Sequence, residues 1–320
     1  METMTGEWVT GREAAPEQPA LEVRDLRMRY GNHDVLQGVT FTVRRGEVLA
    51  LLGPNGAGKT TTIEILEGFR MRSAGAVRVL GADPATAGEA WRARVGVVLQ
   101  SWRDHGKWRV RELLHHLGTY YADHSTPRIS RPWPVDELME LVGLDAQAGT
   151  RINRLSGGQR RRLDVAIGIV GRPEVLFLDE PTVGFDPAAR REFHDLVHRL
   201  TDVDDTTVLL TTHDLDEAEK LADRIVILAG GRIIAAGSAD QLSRRVAAES
   251  EIRWSRAGSR YVHSAADATA FVRELFLQYG EDIADLEVRR ASLEDTYMTL
   301  VRDFEAGRGA AAAAAFEVVR

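Results

Sequence analysis

The chain contains no cysteine. Disulfides, thiol nucleophiles and thiolate metal sites are thereby excluded, and the composition suits a reducing compartment. Long apolar runs are also missing, because no stretch approaches the roughly 18–20 residues of a membrane-spanning helix. The opening residues, METMTGEWVTGREAAPEQPA, lack the apolar core of a signal peptide. Nor is there an excess of positive charge. Lys and Arg number 41 against 48 Asp and Glu, a formal charge of −7. A general nucleic-acid binder draws its affinity from a net basic surface, so no nucleic-acid partner is expected. These absences together predict a cytoplasmic protein that meets a membrane only through another chain.

What is present centres on residues 53–61, GPNGAGKTT. The apolar stretch 48–52 precedes it, and a helical pattern carrying Ile63, Ile65 and Leu66 follows. Strand, glycine-rich turn and helix form the setting that a G-x-x-x-x-G-K-[ST] phosphate loop requires. Gly53, Gly56 and Gly58 let the backbone curl after Pro54 so that successive N–H groups, including those of Asn55 and Ala57, face one anion. The start of the helix adds its positive end. Lys59 supplies a point charge for the outer phosphates. The Thr60 hydroxyl, followed by Thr61, suits a Mg²⁺ ligand. A purely structural turn is the alternative, but every fixed position and both flanks favour a nucleoside triphosphate.

Along the chain, alternating apolar residues predict strands at residues 21–30 and 39–43, and shorter apolar runs predict further strands at 77–80 and 95–99. Helical patterns at 111–121 and 135–142, around a proline-containing break, read as an α-helical insertion. Strands then alternate with helices from residue 158 to 234, which argues for a mostly parallel, helix-flanked sheet. The expected fold is α/β, a nucleotide-binding core with a helical insertion and a small C-terminal α+β appendage. The expected organisation is a disordered segment 1–19, a nucleotide-binding domain 20–242 with its helical subdomain at about 101–165, an accessory domain 243–303 and a low-complexity tail 304–320.

Two further motifs carry chemistry. Residues 175–180, VLFLDE, place two carboxylates at the end of a buried strand. Asp179 there suits Mg²⁺, and Glu180 suits polarisation of an attacking water; a plain pair of charges in a strand-to-loop turn is the alternative. In residues 155–159, LSGGQ, Ser156 stands where a helix should begin, Gly157 and Gly158 leave that end open, and Gln159 follows. This is a second anion-binding helix start, or else an ordinary serine cap.

With both motifs present, residues 21–237 resemble the ABC transporter ATPase family, whose signature is LSGGQ. The fold that this resemblance implies is a P-loop NTPase core of ABC ATPase type, and the reaction is ATP hydrolysis with Mg²⁺, coupled to transmembrane transport. It assigns Tyr30 to stacking on adenine. Gln100 becomes the glutamine that touches Mg²⁺ and water and senses the membrane partner. Asp179 becomes a metal ligand and Glu180 the catalytic glutamate. In Gly184-Phe185-Asp186, Phe185 stands where leucine is usual, and Asp186 takes the dimer-contact role. His213 becomes the histidine that contacts the γ-phosphate. The resemblance also implies a head-to-tail dimer in which Ser156, Gly157, Gly158 and Gln159 of one subunit close over the γ-phosphate held by Lys59 of the other. One copy of each motif means that a second ATPase subunit is needed, expected to be an identical chain.

Finer features are similar to the daunorubicin-resistance branch: Gly68, the run TTHDLDEAE at 211–219, and SLEDTY at 292–297. That likeness implies export of a drug or other amphiphile through a separate integral membrane permease, with this chain peripheral on the inner face of the cell membrane. The C-terminal appendage would be regulatory or dimer-stabilising, and Trp102 or Trp108 would line the groove that meets the permease. An importer ATPase, or a soluble ABC ATPase acting on ribosome or DNA, are the competing readings. The single ATPase unit, the absence of sustained heptads and the acidic charge disfavour the soluble class.

Overall fold

A computed structural model of the chain describes residues 18–98, 105–202, 204–246, 250–256, 258–265, 267–289 and 293–306. The elements begin with β1 (Leu21–Tyr30), β2 (His33–Val43), β3 (Val48–Leu52), α1 (Lys59–Leu66), β4 (Ala74–Val79), α2 (Glu89–Arg92) and β5 (Val95–Val98). Then come α3 (Val110–Thr119), α4 (Val135–Leu141), α5 (Gly157–Ile169), β6 (Val175–Asp179), α6 (Pro187–Asp202), β7 (Thr207–Thr212) and α7 (Leu215–Leu221). The remainder is β8 (Arg224–Ala229), β9 (Arg232–Gly237), α8 (Ala239–Val246), β10 (Ser250–Arg256), β11 (Ser259–Ala265), α9 (Ala268–Tyr279), β12 (Ala284–Arg289) and α10 (Leu293–Glu305).

The central sheet has the order β5-β6-β7-β3-β8-β9. All neighbours in it are parallel except β8 and β9. Strands β3, β6, β7 and β8 are nearly all apolar because both of their faces are covered. Alternate residues enter two different cores: Val48, Ala50 and Leu52 of β3 join Leu176, Leu178, Val208 and Leu210 on one side. Leu49 and Leu51 join Phe177, Leu209 and Val226 on the other. The second core is closed by α1 and by a separate antiparallel sheet of order β2-β1-β4, whose strands contribute Leu21, Val23, Val39, Phe41 and Val77. The sequence reading did not separate this sheet from the parallel one, because half-buried alternation specifies a strand without naming its partner.

Helix α5 lies against the edge strand β5 at a point where neither carries a side chain. A Cβ on Gly96 would sit 2.3 Å from the Gly168 carbonyl oxygen, and one on Gly168 would sit 2.5 Å from Val98 Cγ2. This close approach places the C-terminal end of α5, the LSGGQ helix, over the edge of the sheet, three strands away from β3. At roughly 4.8 Å per strand spacing, the lateral offset is about 14 Å.

The C-terminal residues form a third sheet, β11-β10-β12, with α9 packed on it through Phe271 against Trp254 and His263. The last helix does not stay with that sheet. Leu293, Tyr297, Leu300 and Phe304 of α10 pack into the core on the helix-covered side of the central sheet. Helix α9 is capped by Asp267, whose side chain accepts from the Ala270 amide at 2.9 Å. At the start of α8, Ser238 and Gln241 form a capping box, with amide-to-side-chain bonds of 3.0 and 3.2 Å. Ser292, which opens the run SLEDTY, lies outside the described residues.

Candidate functional site

In an open parallel sheet, ligands bind beyond the carboxyl ends of the strands. Here three such ends lie side by side: β3 leads into residues 53–61, β6 ends at Asp179-Glu180, and β7 ends at Thr212-His213. The register fixes their levels, since Leu51 and Asp179 both pair with Thr211, and Leu52 pairs with Thr212.

The loop after β3 is built from within. A Cβ on Gly53 would lie 2.2 Å from the Leu228 carbonyl oxygen, and one on Gly58 would lie 2.5 Å from Leu36 Cδ2. Gly58 also holds φ +102°, a conformation that L side chains rarely adopt. Lys59 is buried, and its Nζ donates to the carbonyls of Gly53 at 2.8 Å and Pro54 at 3.3 Å. Burial lowers its pKa from the ordinary lysine value, and the nearby Glu180 and Asp179 act against that. Asn55, Gly56 and Thr60 are exposed at the mouth of the loop.

Asp179 and Thr60 face each other, the Thr60 hydroxyl lying 3.4 Å from Asp179 Oδ2. The other carboxylate oxygen accepts from the Thr211 hydroxyl at 2.5 Å. Glu180 holds φ +46°, uncommon for a residue with a side chain. Its amide donates to both the carbonyl and the hydroxyl oxygen of Thr211, each at 3.1 Å. His213 Nδ1 lies 3.3 Å from Glu180 Oε1, and the ring is more than half exposed. Thr60, Asp179, Glu180 and His213 therefore form one continuous group at the strand ends. A hydroxyl opposite a carboxylate is a hard-oxygen donor pair, which fits Mg²⁺.

The LSGGQ helix start is a capping box. The Ser156 Oγ accepts from the Gln159 amide at 3.3 Å, and the Ser156 amide donates to Gln159 Oε1 at 3.0 Å. A Cβ added at Gly157 or Gly158 would meet nothing within 4 Å. Asp186 Oδ1 accepts from the amides of Ala188 and Ala189 at 2.9 and 2.8 Å, so it starts α6. Tyr30 is 40% exposed at the end of β1, with the Arg70 guanidinium 5.2 Å from its ring centroid. Gln100 and Trp102 lie outside the described residues. Trp108 is about one-third exposed and packs between His105 and His116, at ring centroid distances of 5.9 and 5.1 Å.

Three residues to which the sequence reading gave no role in the site stand out. Thr211 touches both Asp179 and Glu180. A signal for it existed, because two consecutive threonines follow the apolar Val208-Leu209-Leu210 in a strand in which every residue is buried. Arg161 is 7% exposed and donates to the carbonyls of Pro181 at 2.8 Å and Glu180 at 3.4 Å. Three consecutive arginines gave no hint of which one would turn inward. Glu67, just past α1, has its pKa pushed up to about 8 by burial and by Asp179 and Glu64.

Sequence comparison agrees with this geometry. The profile of the ABC transporter family matches residues 36–183. The Nod factor export ATP-binding protein I of Ralstonia nicotianae is 40% identical over 224 residues, which cover 70% of this chain and 68% of that protein. The daunorubicin resistance ATP-binding protein DrrA3 of Streptomyces coeruleorubidus is 42% identical over 229 residues, covering 70% and 69%. Among solved structures, the ATP-binding subunit of an ABC transporter superposes with TM-score 0.63 at 30% identity, over 71% of this chain and 93% of that one. An ATP-binding cassette of an ABC transporter in its ADP conformation shares the fold, with TM-score 0.61 at 24% identity over 70% and 92%. The chain belongs to the ABC transporter family, as an ATP-hydrolysing subunit of a transporter.

Proposed function

We propose that two copies of this chain close head to tail around two ATP molecules, with Mg²⁺, and drive a separate membrane permease that exports a drug or other amphiphile. In this reading Tyr30 stacks on adenine, and the amides of residues 53–61 with Lys59 hold the phosphates. Thr60 and Asp179, together with Gln100, would hold the metal ion, whose positive charge would offset the charge that develops on the phosphates. Glu180 orients the attacking water and accepts its proton as the new P–O bond forms and the bond to ADP breaks. His213, beside Glu180 at 3.3 Å, steadies the γ-phosphate.

The observation that carries the dimer is the difference in place between the two anion-binding helix starts. Residues 53–61 extend from β3, whereas Ser156, Gly157, Gly158 and Gln159 begin a separate helix, whose first turn lies by the end of β6 and whose far end packs on the edge strand β5. On this reading one nucleotide in one subunit does not reach both. Asp186, at the head of α6, would contact the partner subunit. Export is favoured by what the relatives are named for, Nod factor export and daunorubicin resistance. Among the described residues no helix is long and apolar enough to cross a membrane, which fits a chain that works at the cytoplasmic face through its permease. Residues 20–242 are then the ATPase domain, with the helical subdomain at about 101–165 and Trp108 towards the permease, and 243–303 is an accessory unit.

The test uses Glu180→Gln. That variant should bind ATP, lose about 1,000-fold or more in turnover, and elute as a dimer in ATP and Mg²⁺ but as a monomer in ADP. A Glu180→Gln protein that hydrolyses ATP at the parent rate, or stays monomeric with ATP, contradicts the reading.

A further inference from the structure

The peptide of Glu180 is held from both sides. Its amide is fixed by Thr211 of β7 through two bonds of 3.1 Å. Its carbonyl oxygen, and that of Pro181, receive N–H groups from Arg161, at 3.4 and 2.8 Å. Between these anchors Glu180 keeps φ +46°. A non-glycine residue persists in that region only when its surroundings over-determine it. Arg161 belongs to α5, in the turn that follows Ser156, Gly157 and Gly158.

The neighbouring arginines go elsewhere, as steps of about 100° around a helix require. Arg160 lies 3.4 Å from Asp164, and Arg162 donates to the Gly143 carbonyl at 3.2 Å and pairs with Glu192. Arg161 is the one of the three buried against the catalytic turn, at 7% exposure. Its side chain also has Asp164 at 4.0 Å. A buried guanidinium is costly unless its donors are used, and here two go to the backbone on which the catalytic carboxylate is mounted.

We propose that Arg161 is a positioning residue that ties the start of α5 to the peptide of Glu180 in the same subunit, so that the nucleotide seated on one subunit's LSGGQ segment sets the catalytic carboxylate facing the other nucleotide. This rests on the head-to-tail dimer. In that dimer the α5 start touches the ATP held by the partner's Lys59, while Glu180 acts on the ATP held by its own. A shift of α5 on meeting γ-phosphate is delivered by a rigid, planar fork to the carbonyls of residues 180 and 181. The two sites then turn over cooperatively, with a Hill coefficient bounded by their number.

The experiment compares Arg161→Met, Arg161→Lys and Arg162→Met with the parent full-length chain. Each is assayed for ATPase rate against ATP concentration, for affinity of a fluorescent trinitrophenyl ATP, and for thermal unfolding. In Arg161→Met, kcat should fall between about tenfold and a hundredfold, the range for a catalytic group misplaced by an ångström or less. Its Hill coefficient should drop towards 1, with analogue affinity unchanged. Arg161→Lys, which keeps the charge and loses the fork, should fall between Arg161→Met and the parent, and Arg162→Met should match the parent in rate and cooperativity. Arg161→Met placed in Glu180→Gln should still form the ATP dimer, which separates the coupling from the dimer itself. A parent Hill coefficient of 1 overturns the proposal. So does an Arg161→Met protein with parental kcat and cooperativity, or one whose kcat falls only with its folded fraction while the Hill coefficient stays. If Glu180→Gln alone remains monomeric with ATP, the dimer fails and the coupling fails with it.

Discussion

Two helices in this protein begin with glycine-rich segments that offer backbone amides to an anion, and they are built in opposite ways. At the start of α1 the glycines are demanded by the chain itself. Side chains at Gly53 and Gly58 would strike Leu228 and Leu36, and Lys59 is already buried among loop carbonyls. At the start of α5 nothing in the chain demands them, since Gly157 and Gly158 face open space. The first segment is shaped by its own chain. The second, on the proposed reading, receives a nucleotide held by another chain.

That contrast is breakable by substitution. The largest effect is expected at Gly53→Ala, where the added methyl group meets a backbone carbonyl. Denaturant unfolding should show a loss of about 3 kcal/mol or more. An unfolding curve superimposable on the parent's would mean that the loop is not built from within. Lys59→Ala comes next. Loss of a charge-assisted contact to phosphate should weaken ATP binding by about 1.5–3 kcal/mol, read by titration calorimetry on the monomer.

Glu67 gives an effect of similar size that depends on pH. Its pKa is pushed up from 4.5 to about 8 by burial and by the carboxylates of Asp179 and Glu64. The folded chain thus keeps a proton that the unfolded chain releases. The stabilisation is complete below about pH 4.5 and is lost as pH rises through 8. Glu67→Gln should remove about 2–3 kcal/mol of the stability difference between pH 6 and pH 9, measured without nucleotide; an unchanged difference would show that Glu67 titrates normally. Smallest of all is Gly157→Ala, whose stability should lie within about 0.5 kcal/mol of the parent while ATP-dependent dimerisation is weakened. A large destabilisation there would show that the α5 start also answers to its own chain.

Much of this was legible in the sequence because the relevant signals are local. The glycine spacing of residues 53–61, the apolar run ending at Asp179-Glu180 and the helix start at Ser156 each specify a conformation within a few residues. Tertiary partnership was not legible. Alternation in β1 and β2 did not reveal that they leave the parallel sheet for one of their own. The motif Asp179-Glu180 did not announce that Thr211 would hold both residues from the next strand. Three arginines in a row gave no reason to single out Arg161, because which one turns inward depends on how α5 is rotated over β5, and that rotation is fixed by the contact of Gly96 with Gly168. The return of α10 to the core was hidden for the same reason: its apolar residues mark a buried face without saying against what.

The central claim is that the second helix start completes a site on another chain. The absence of cysteine makes the decisive measurement clean. Asn55→Cys and the nearly isosteric Ser156→Cys are placed in separate Glu180→Gln chains, and the chains are oxidised alone and mixed, with ATP or with ADP. The account predicts a disulfide-linked dimer on a non-reducing gel from the mixture with ATP, and none from either chain alone or from the mixture with ADP. A mixture that stays uncrosslinked with ATP, while both thiols remain reactive, would contradict it.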